Sequence, residues 1–314
     1  MTSCWTAFRA SPDCPAHVFV NASAGGGRAR SLLPRLRQLF ESLAVPFELV
    51  ETSNSGELES AARQTASQAG RLLFALGGDG TFQALVNGAF GTDVVLGVIP
   101  VGGGNDFASA LGLPVNPLKA AASALTGKVR AIDLVRVYTS DGRTRLYAGG
   151  GGVGLDAEAA RHAGGSFRHL PGRLRYLASA LRALAEHQPL NTRIEFPQGD
   201  HSSLEASALL AGVLNTPTYG AGLRLAPEAS IDDGLLNIVL IENLSKLEVV
   251  KLLPRLIGTG ELRTSHVRRW TTRSVKICAD RLCLFHGDGE ILGPAPVEIE
   301  VLARAVQVLV PAFK

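Results

Sequence analysis

The chain has little cysteine and no long hydrophobic run. Its four cysteines are too few and too unevenly spaced for a disulfide framework, which predicts a reducing compartment. No stretch approaches the ~18 uncharged apolar residues that span a bilayer. Residues 1–17 also lack the apolar core of a signal peptide. We therefore expect a cytoplasmic protein, either free or peripheral at the inner face of the membrane.

A strong excess of one charge is also missing. Lys and Arg total 31 against 28 Asp and Glu, and the net charge of +3 is too small to indicate nucleic acid binding. With 46% hydrophobic and 19% charged residues, the chain has the composition of a globular protein. Its 314 residues suffice for two domains, and its 35 glycines cluster, which indicates special backbone turns.

The first third of the chain alternates apolar runs with helical patterns. The runs 17–21, 46–52, 71–76 and 93–100 are strand-like, and helical patterns such as 28–43 separate them. Short strands separated by helices predict a parallel sheet covered on both faces. We expect a Rossmann-like α/β domain over residues 16–134.

The second part of the chain predicts mostly antiparallel strands. A hairpin is expected at Asp141-Gly142, and one helix at about 170–187 interrupts the strands. The predicted β-sandwich domain covers 135–303, and the segment 304–314 returns to the first domain. The glycine-rich residues 150–157 are interpreted as a tight loop, because no βαβ unit surrounds them.

Two further interpretations concern the cysteines near the end of the chain. Cys278 and Cys283 straddle a predicted hairpin at 279–281. With His286 they offer too few ligands for a zinc site, so we interpret both as packing residues.

Three glycine-rich turns follow apolar strands, at 22–28, 77–81 and 101–106. At the carboxyl end of a parallel sheet, such turns let backbone N–H groups and helix N-termini approach a phosphate. Asp79 would repel a bare phosphate there, so it suits a Mg²⁺ ion, a sugar hydroxyl or a base. Thr81 would cap the next helix or bind a phosphate. The alternative is a simple strand-to-helix connection.

Late in the chain, Asp288 and Glu290 stand two residues apart in HGDGE. On an extended backbone both carboxylates would lie on one face. Transfer of a phosphoryl group to an alcohol needs a proton acceptor, which either acid could be. A solvated hairpin turn is the alternative.

Two other segments each allow two interpretations. Asp232-Asp233-Gly234 is either a turn or part of a cation site that combines a carboxylate with backbone carbonyls. The arginine-rich stretch 161–182 places leucines on one helical face. That face either lies on an anionic membrane surface or docks on the β domain. The leucines are Leu174, Leu177, Leu181 and Leu184.

Taken together, LGGDGTFQALVNG, IPVGGGNDFASALGL and FHGDGEILG resemble the catalytic domain shared by diacylglycerol, sphingosine, ceramide and bacterial lipid kinases. The segments AGLRLAPEASIDDGLLNIVLIEN and VEIEVLARAVQVLVP are similar as well. The resemblance implies a first domain like those of phosphofructokinase and NAD kinase, and a second, lipid-binding domain. It also implies ATP, Mg²⁺ and a lipid acceptor such as diacylglycerol.

The resemblance also implies residue roles. In it, Glu290, with Asp288 beside it, accepts the proton of the lipid hydroxyl, and Asp79 positions Mg²⁺ or the phosphates. A structural Mg²⁺ would bind Asp233 and the main-chain oxygens of Ser230 and Leu235. The implied ATP-binding residues are Asn21, Gly25, Thr52, Gly77, Gly78, Asp79, Gly80, Thr81, Gly103 and Asn105.

The chain departs from the family pattern at three places, one of which is a basic residue of the first loop whose place Arg28 would take. The opening motif reads N-A-S-A-G, without the usual proline, and Gly103 replaces a threonine. An NAD kinase-like small-molecule kinase and a catalytically impaired nucleotide-binding regulator therefore remain alternatives. The expected partners are ATP and a lipid at a membrane surface, with no nucleic acid. A homodimer is one candidate assembly.

Overall fold

In a computed structural model the chain divides into two units. The structure describes residues 15–21, 27–68, 72–167, 170, 172–220, 222–251 and 266–312. The first unit comprises Met1–Ile132 with Ala305–Lys314, and the second comprises Asp133–Arg304. The predicted domain bounds, 16–134 and 135–303, remain a proposal about which parts of the chain fold independently.

The first unit is a parallel sheet with helices between its strands. Its strands are β1 (Ala16–Asn21), β2 (Phe47–Thr52), β3 (Leu72–Gly77) and β4 (Val95–Pro100). Its helices are α1 (Arg28–Ser42), α2 (Ser55–Gln68), α3 (Asp79–Ala89), α4 (Asp106–Ala110) and α5 (Pro117–Leu125). The strand order is β2-β1-β3-β4, and the end of β15 (Val297–Val310) pairs in parallel with β4. The predicted parallel α/β sheet is confirmed.

Burial explains why β3 and β4 read as unbroken apolar runs. Every residue of both strands is buried, as expected for central strands covered on both faces. On one side, Phe40 of α1 packs against Phe74 of β3 with ring centroids 5.8 Å apart. Burial holds these two strands in place, and the glycine turns begin at their carboxyl ends.

The second unit is built mainly of antiparallel strands. Its elements are β5 (Lys128–Thr139), β6 (Thr144–Tyr147), β7 (Gly150–Gly154), α6 (Leu155–Gly164), α7 (Gly172–Glu186), β8 (Leu190–Glu195), β9 (Leu204–Leu214), β10 (Leu236–Glu242), β11 (Val267–Thr272), β12 (Ser274–Ala279), β13 (Leu284–Gly287), β14 (Glu290–Pro294) and the start of β15. One path runs β14-β13-β7-β9-β8-β12-β15, while β10 pairs with β9 and β11. The predicted antiparallel β domain is confirmed.

Alternation along β10 shows how this sheet separates two hydrophobic layers. Ile238 and Leu240 belong to one core cluster, whereas Val239 and Ile241 belong to another that includes Leu184 of α7. Successive side chains of a strand point to opposite faces, so residues 238–241 of β10 are all apolar because both faces are covered there.

The predicted hairpin at Asp141-Gly142 is confirmed. Strands β5 and β6 pair antiparallel up to Tyr138 opposite Thr144, and Gly142 has φ +81°. The predicted helix at 170–187 corresponds to α7, whereas α5 and α6 were not predicted.

Two other local predictions are wrong. Residues 150–157 are not a loop but strand β7 running directly into helix α6. The strand is glycine except at Val153, and at Gly151 a Cβ would lie only 2.3 Å from the His286 carbonyl oxygen. Residues 279–281 do not close a hairpin: β12 pairs with β8 and β15, whereas β13 pairs with β7 and β14.

Candidate active site

Two of the glycine turns pack backbone against backbone in the first unit. A Cβ on Gly102 would lie 2.6 Å from the Gly78 Cα, and a Cβ on Gly77 would lie 2.1 Å from the Thr81 Oγ1. Side chains are therefore excluded at these positions, which leaves main-chain N–H groups near the N-terminus of α3. Such a cradle suits phosphate, so the residues present fit a nucleotide.

Asp79 braces these two turns. Its Oδ2 accepts a hydrogen bond from the Asp106 N–H at 3.2 Å, and its Oδ1 accepts one from the Phe107 N–H at 3.1 Å. The carboxylate of α3 thus caps the N-terminus of α4, where negative charge is favourable. Asp79, the lone carboxylate between glycines, therefore has a structural role: its two hydrogen bonds hold the α4 turn against the turn before α3.

Asn105 holds the second turn in shape. It has a left-handed backbone with φ 61°, and its side chain exchanges two 3.0 Å hydrogen bonds with the main chain of Gly102. Gly103 lies inside this closed loop and is half-buried. Asn105 therefore maintains the shape of this loop although Gly103 supplies no threonine hydroxyl.

The other predicted nucleotide residues lie at the same ends of the strands. Asn21 and Thr52 are opposite each other at the ends of β1 and β2. Thr52 is buried, and its hydroxyl donates to the Val20 carbonyl at 3.2 Å, so it ties the two strands together. Gly80 and Thr81 lie in the first turn of α3. Gly25 lies outside the described residues.

Asp288 occupies a tight turn between β13 and β14 in the second unit. Asp288 and Gly289 have φ of 51° and 84°, so HGDGE forms the hairpin turn that was one of the two interpretations, and its backbone is not extended. The Asp288 Oδ1 accepts hydrogen bonds from the Gly149 and Gly150 N–H groups at 2.9 and 3.2 Å, and Oδ2 accepts one from Ala148 at 2.9 Å. Burial raises the pKa of Asp288 to about 6 despite these bonds.

Glu290 is placed differently, at the start of β14. Its side chain has considerable exposed area, yet enough protein surrounds the carboxyl group for desolvation to raise its pKa. Arg175 of α7 and His286 act on this pKa in the opposite direction. The turn therefore separates a half-buried, rigidly held acid from a more exposed one.

A buried polar cluster next to this turn was not predicted from the sequence. The Tyr219 hydroxyl donates to Asp156 Oδ2 at 3.0 Å and also contacts His286 Nε2, which lies 3.4 Å from the same carboxylate oxygen. The side chains of His286 and Asp156 are only 3% and 6% exposed. A positive His286 would stabilise the charged form of Asp288. Recognising β7 followed by α6 would have revealed Asp156 at the start of that helix.

The predicted cation residues surround the loop before β10. Asp233 Oδ1 accepts from the Leu235 N–H at 3.0 Å, and the Ser230 hydroxyl donates to Asp232 at 2.9 Å. Burial is the main reason that the pKa of Asp233 is raised, and the charges of Asp133 and Asp232 add to it.

Asp133, which sequence reasoning missed, holds this loop to β15. It accepts from the Gly234 and Arg304 N–H groups, both at 2.7 Å. Carboxylate and carbonyl oxygens are the ligand type that Mg²⁺ takes, so the donor set fits the ion. Among the described residues no group of three His, Cys, Asp or Glu side chains could hold a metal, so carbonyls and water would complete the coordination.

Helix α7 presents most of its leucines to solvent. Leu174, Leu177 and Leu181 are 60%, 48% and 47% exposed, whereas Leu184 is 6% exposed and joins the core. The interpretation that the leucine face docks on the β domain is therefore wrong for three of its four members. In the part of the chain that the structure describes, no helix is long and apolar enough to cross a membrane.

Comparisons with known proteins match this arrangement along the chain. Residues 15–137 match the diacylglycerol kinase catalytic domain, and residues 151–310 match the YegS C-terminal NAD kinase beta sandwich-like domain. A crystal structure of a diacylglycerol kinase from Bacillus anthracis str. Sterne has a TM-score of 0.69 at 20% identity, over 94% of this chain and 96% of that one. At this identity the likeness establishes the fold.

Sequence relatives extend the match. A diacylglycerol kinase of Bacillus subtilis (strain 168) is 28% identical over 302 residues, which cover 95% of this chain and 97% of the relative. A diacylglycerol kinase of Mycobacterium tuberculosis (strain CDC 1551 / Oshkosh) is 31% identical over 236 residues, 75% of each chain. The chain is therefore a kinase, and it belongs to the diacylglycerol kinase family of lipid kinases.

Proposed function

We propose that the protein transfers the γ-phosphate of ATP to a hydroxyl group of a membrane lipid such as diacylglycerol. Membership of the diacylglycerol kinase family is the observation that carries this proposal. In this account residues 16–134 bind the nucleotide and residues 135–303 bind the lipid. The glycine cradle at Gly77–Thr81 and a half-buried acid of raised pKa at Asp288 support it from two separate sites.

The first unit would bind the triphosphate through its main chain. The N–H groups at the N-terminus of α3 would bind phosphate beside Gly78, where Gly102 approaches without a side chain, and Asp79 would hold the α4 turn in place. Asn21, Gly25, Thr52, Gly103 and Asn105 would complete the nucleotide site. Bound Mg²⁺ would offset the negative charge of the phosphates.

Asp288 suits the role of proton acceptor better than Glu290. Three N–H groups fix its carboxylate, and with about four lone-pair sites per carboxylate, one on Oδ2 remains for a substrate hydroxyl. A pKa of about 6 keeps it ionised at neutral pH and close to the operating pH, which is the condition for efficient general base catalysis. The more exposed Glu290 would hydrogen-bond the lipid headgroup.

In the proposed reaction, a phosphoryl group moves from ATP to the lipid hydroxyl. The lipid hydroxyl oxygen forms a bond to the γ-phosphorus, the bond from that phosphorus to the β,γ-bridging oxygen breaks, and ADP leaves. The hydroxyl proton passes to Asp288. The product is the lipid phosphate monoester.

The remaining assigned residues have supporting roles. Mg²⁺ bound by Asp233 and the carbonyls of Ser230 and Leu235 would relieve the repulsion among the acids there and fix the start of β10. The exposed leucines of α7 would insert into the headgroup region, which gives the kinase access to a lipid acceptor.

Incubation of the pure protein with labelled ATP, Mg²⁺ and vesicles tests the proposal. We expect label in a lipid phosphate with diacylglycerol present, and none in NADP when NAD replaces the lipid. Phosphorylation of NAD instead would support the small-molecule kinase alternative. ATP binding without transfer to any lipid of a broad panel would support the impaired regulator.

A further inference from the structure

The glycines of strand β7 leave room for a buried polar cluster beside the turn that carries Asp288. A Cβ on Gly152 would lie 2.4 Å from Asp156 Oδ2, and a Cβ on Gly150 would lie 2.7 Å from Cδ2 of the Tyr219 ring. Gly152 also pairs with His286 of β13 across the sheet. The absence of side chains at positions 150 and 152 therefore opens the space in which an acid, a tyrosine and a histidine meet.

Asp156 is the acid at the centre of this cluster. Its Oδ1 accepts a hydrogen bond from the Ala157 N–H at 2.8 Å, and its Oδ2 accepts one from the Tyr219 hydroxyl at 3.0 Å. His286 Nε2 lies 3.4 Å from the same Oδ2, and the side chains of both residues are more than nine-tenths buried. Hydrogen bonds to both oxygens favour the ionised carboxylate, so the proton that the pair shares resides on the imidazole.

Two further contacts define the surroundings of His286. The Tyr219 proton is directed to Asp156, so the Tyr219 oxygen accepts from the His286 Nε2–H, whereas Nδ1 has no hydrogen-bond partner in the described structure. Tyr147 is fully buried and donates to a backbone carbonyl at 2.9 Å. Burial, and then the charges of Asp288 and Asp156, raise the pKa of Tyr147, so it stays neutral. Asp156 and Tyr219 therefore hold the imidazole through Nε2.

A positive charge on His286 acts on both acids of the neighbouring turn. Burial raises the pKa of Asp288 to about 6, and three backbone N–H groups and then His286 oppose this shift. Burial also raises the pKa of Glu290, which Arg175 and then His286 oppose. Both carboxyl groups therefore ionise more easily while His286 is protonated.

We propose that Asp156 is a positioning residue for this turn: together with Tyr219 it holds His286 in the protonated form, two residues before Asp288. The buried positive charge keeps Asp288 and Glu290 ionised at neutral pH, so that the one can accept the hydroxyl proton and the other can accept a hydrogen bond. This catalytic consequence rests on the proposed lipid kinase function, whereas the charge pair is a property of the second unit by itself.

Two substitutions of nearly unchanged shape test this role. His286→Gln removes the charge and Asp156→Asn removes its partner, so the acid limb of the kcat profile should move up by about one pH unit in each. From a midpoint of about 6, that change lowers the ionised fraction of Asp288 about fivefold at pH 6 and less than twofold at pH 8. We expect kcat to follow these factors while KM for ATP stays unchanged.

Asp280→Asn is the matched control. Its carboxylate accepts from the Asn191 side chain at an exposed position of the same unit, so the profile should not move. A loss of kcat that is equal at pH 6 and pH 8 in His286→Gln and Asp156→Asn, or no loss at either pH, would overturn the proposal. The unfolding temperature reports whether each variant folds.

Nuclear magnetic resonance follows the same charges without turnover. In the wild type, nitrogen shifts should show the His286 ring protonated on both nitrogens at pH 7, a measurement that does not depend on any variant folding. The carboxyl carbon of Asp288 should titrate about one pH unit higher in Asp156→Asn than in the wild type. A neutral His286 ring or an unchanged Asp288 midpoint would contradict the proposal. The expected titrations in a protein that transfers no phosphate would refute the kinase function and leave the charge pair intact.

Discussion

Replacement of Asp288 by Asn removes the proposed proton acceptor with almost no change in shape. General base catalysis contributes about 10²–10⁴-fold to rate, so we expect kcat to fall by that factor. KM for ATP should change little, since the nucleotide residues belong to the first unit. Glu290→Gln is the matched control, with an expected loss below about tenfold because the amide can still hydrogen-bond the headgroup.

The same substitution changes how stability depends on pH. Burial raises the Asp288 pKa from 3.8 to about 6, so the folded protein holds this proton more tightly than the unfolded chain does. The resulting stability is fully present below about pH 4 and is lost as pH rises through about 6, a loss of about 3 kcal/mol. The asparagine variant should lack this component of the pH dependence.

The variant has its own cost, which makes the net effect at neutral pH small. An asparagine amide cannot accept from all three of the N–H groups at residues 148–150, and one unpaired N–H costs about 1–3 kcal/mol. We expect the two effects to offset each other to within about 2 kcal/mol near pH 7.

Steady-state kinase assays give the rate, and urea unfolding between about pH 4 and 7 gives the stability. More than a tenth of wild-type kcat in Asp288→Asn would refute the assignment of the base. An unchanged slope of stability against pH would refute the argument from burial.

Three further predictions concern other parts of the protein. Gly102→Ala should weaken ATP binding more than tenfold in calorimetry, because its Cβ would lie 2.6 Å from the Gly78 Cα, whereas Gly56→Ala on α2 should leave it unchanged. Asp79→Asn should lower the free energy of unfolding by about 0.5–2 kcal/mol through loss of the α4 cap, measured by urea titration, and an unchanged value would contradict the bracing role. Leu177→Glu should reduce sedimentation with anionic vesicles severalfold, while Val115→Glu at an 89% exposed position should not; equal effects would argue against insertion of α7.

The sequence predicted the first unit well because its signals are local. Unbroken apolar runs at β3 and β4 are what two covered faces require, and the glycines after them mark turns where a Cβ has no room. The function of Asp79 within the turn was harder to foresee. Its partners, the N–H groups of Asp106 and Phe107, follow the next strand, and only the fold brings them together.

The second unit shows the limits of local patterns. Strand β7 is nearly all glycine, since neighbouring backbones and side chains occupy the space of a Cβ, so it gave no strand signal and hid Asp156 on α6. The turn at Asp288 was one of two interpretations of HGDGE, but the N–H groups of residues 148–150 that hold its carboxylate could not be foreseen. Distant pairings such as Asp288 with Gly149, or Asp133 with Arg304, leave no trace in residue spacing.

Direct transfer of phosphate tests the central claim. Wild-type protein with γ-labelled ATP, Mg²⁺ and diacylglycerol vesicles should yield labelled phosphatidic acid, and Asp288→Asn should yield at least a hundredfold less, the lower bound for loss of a general base. Labelled phosphatidic acid at equal rates from both proteins, or none from a wild type that binds ATP, would contradict the account.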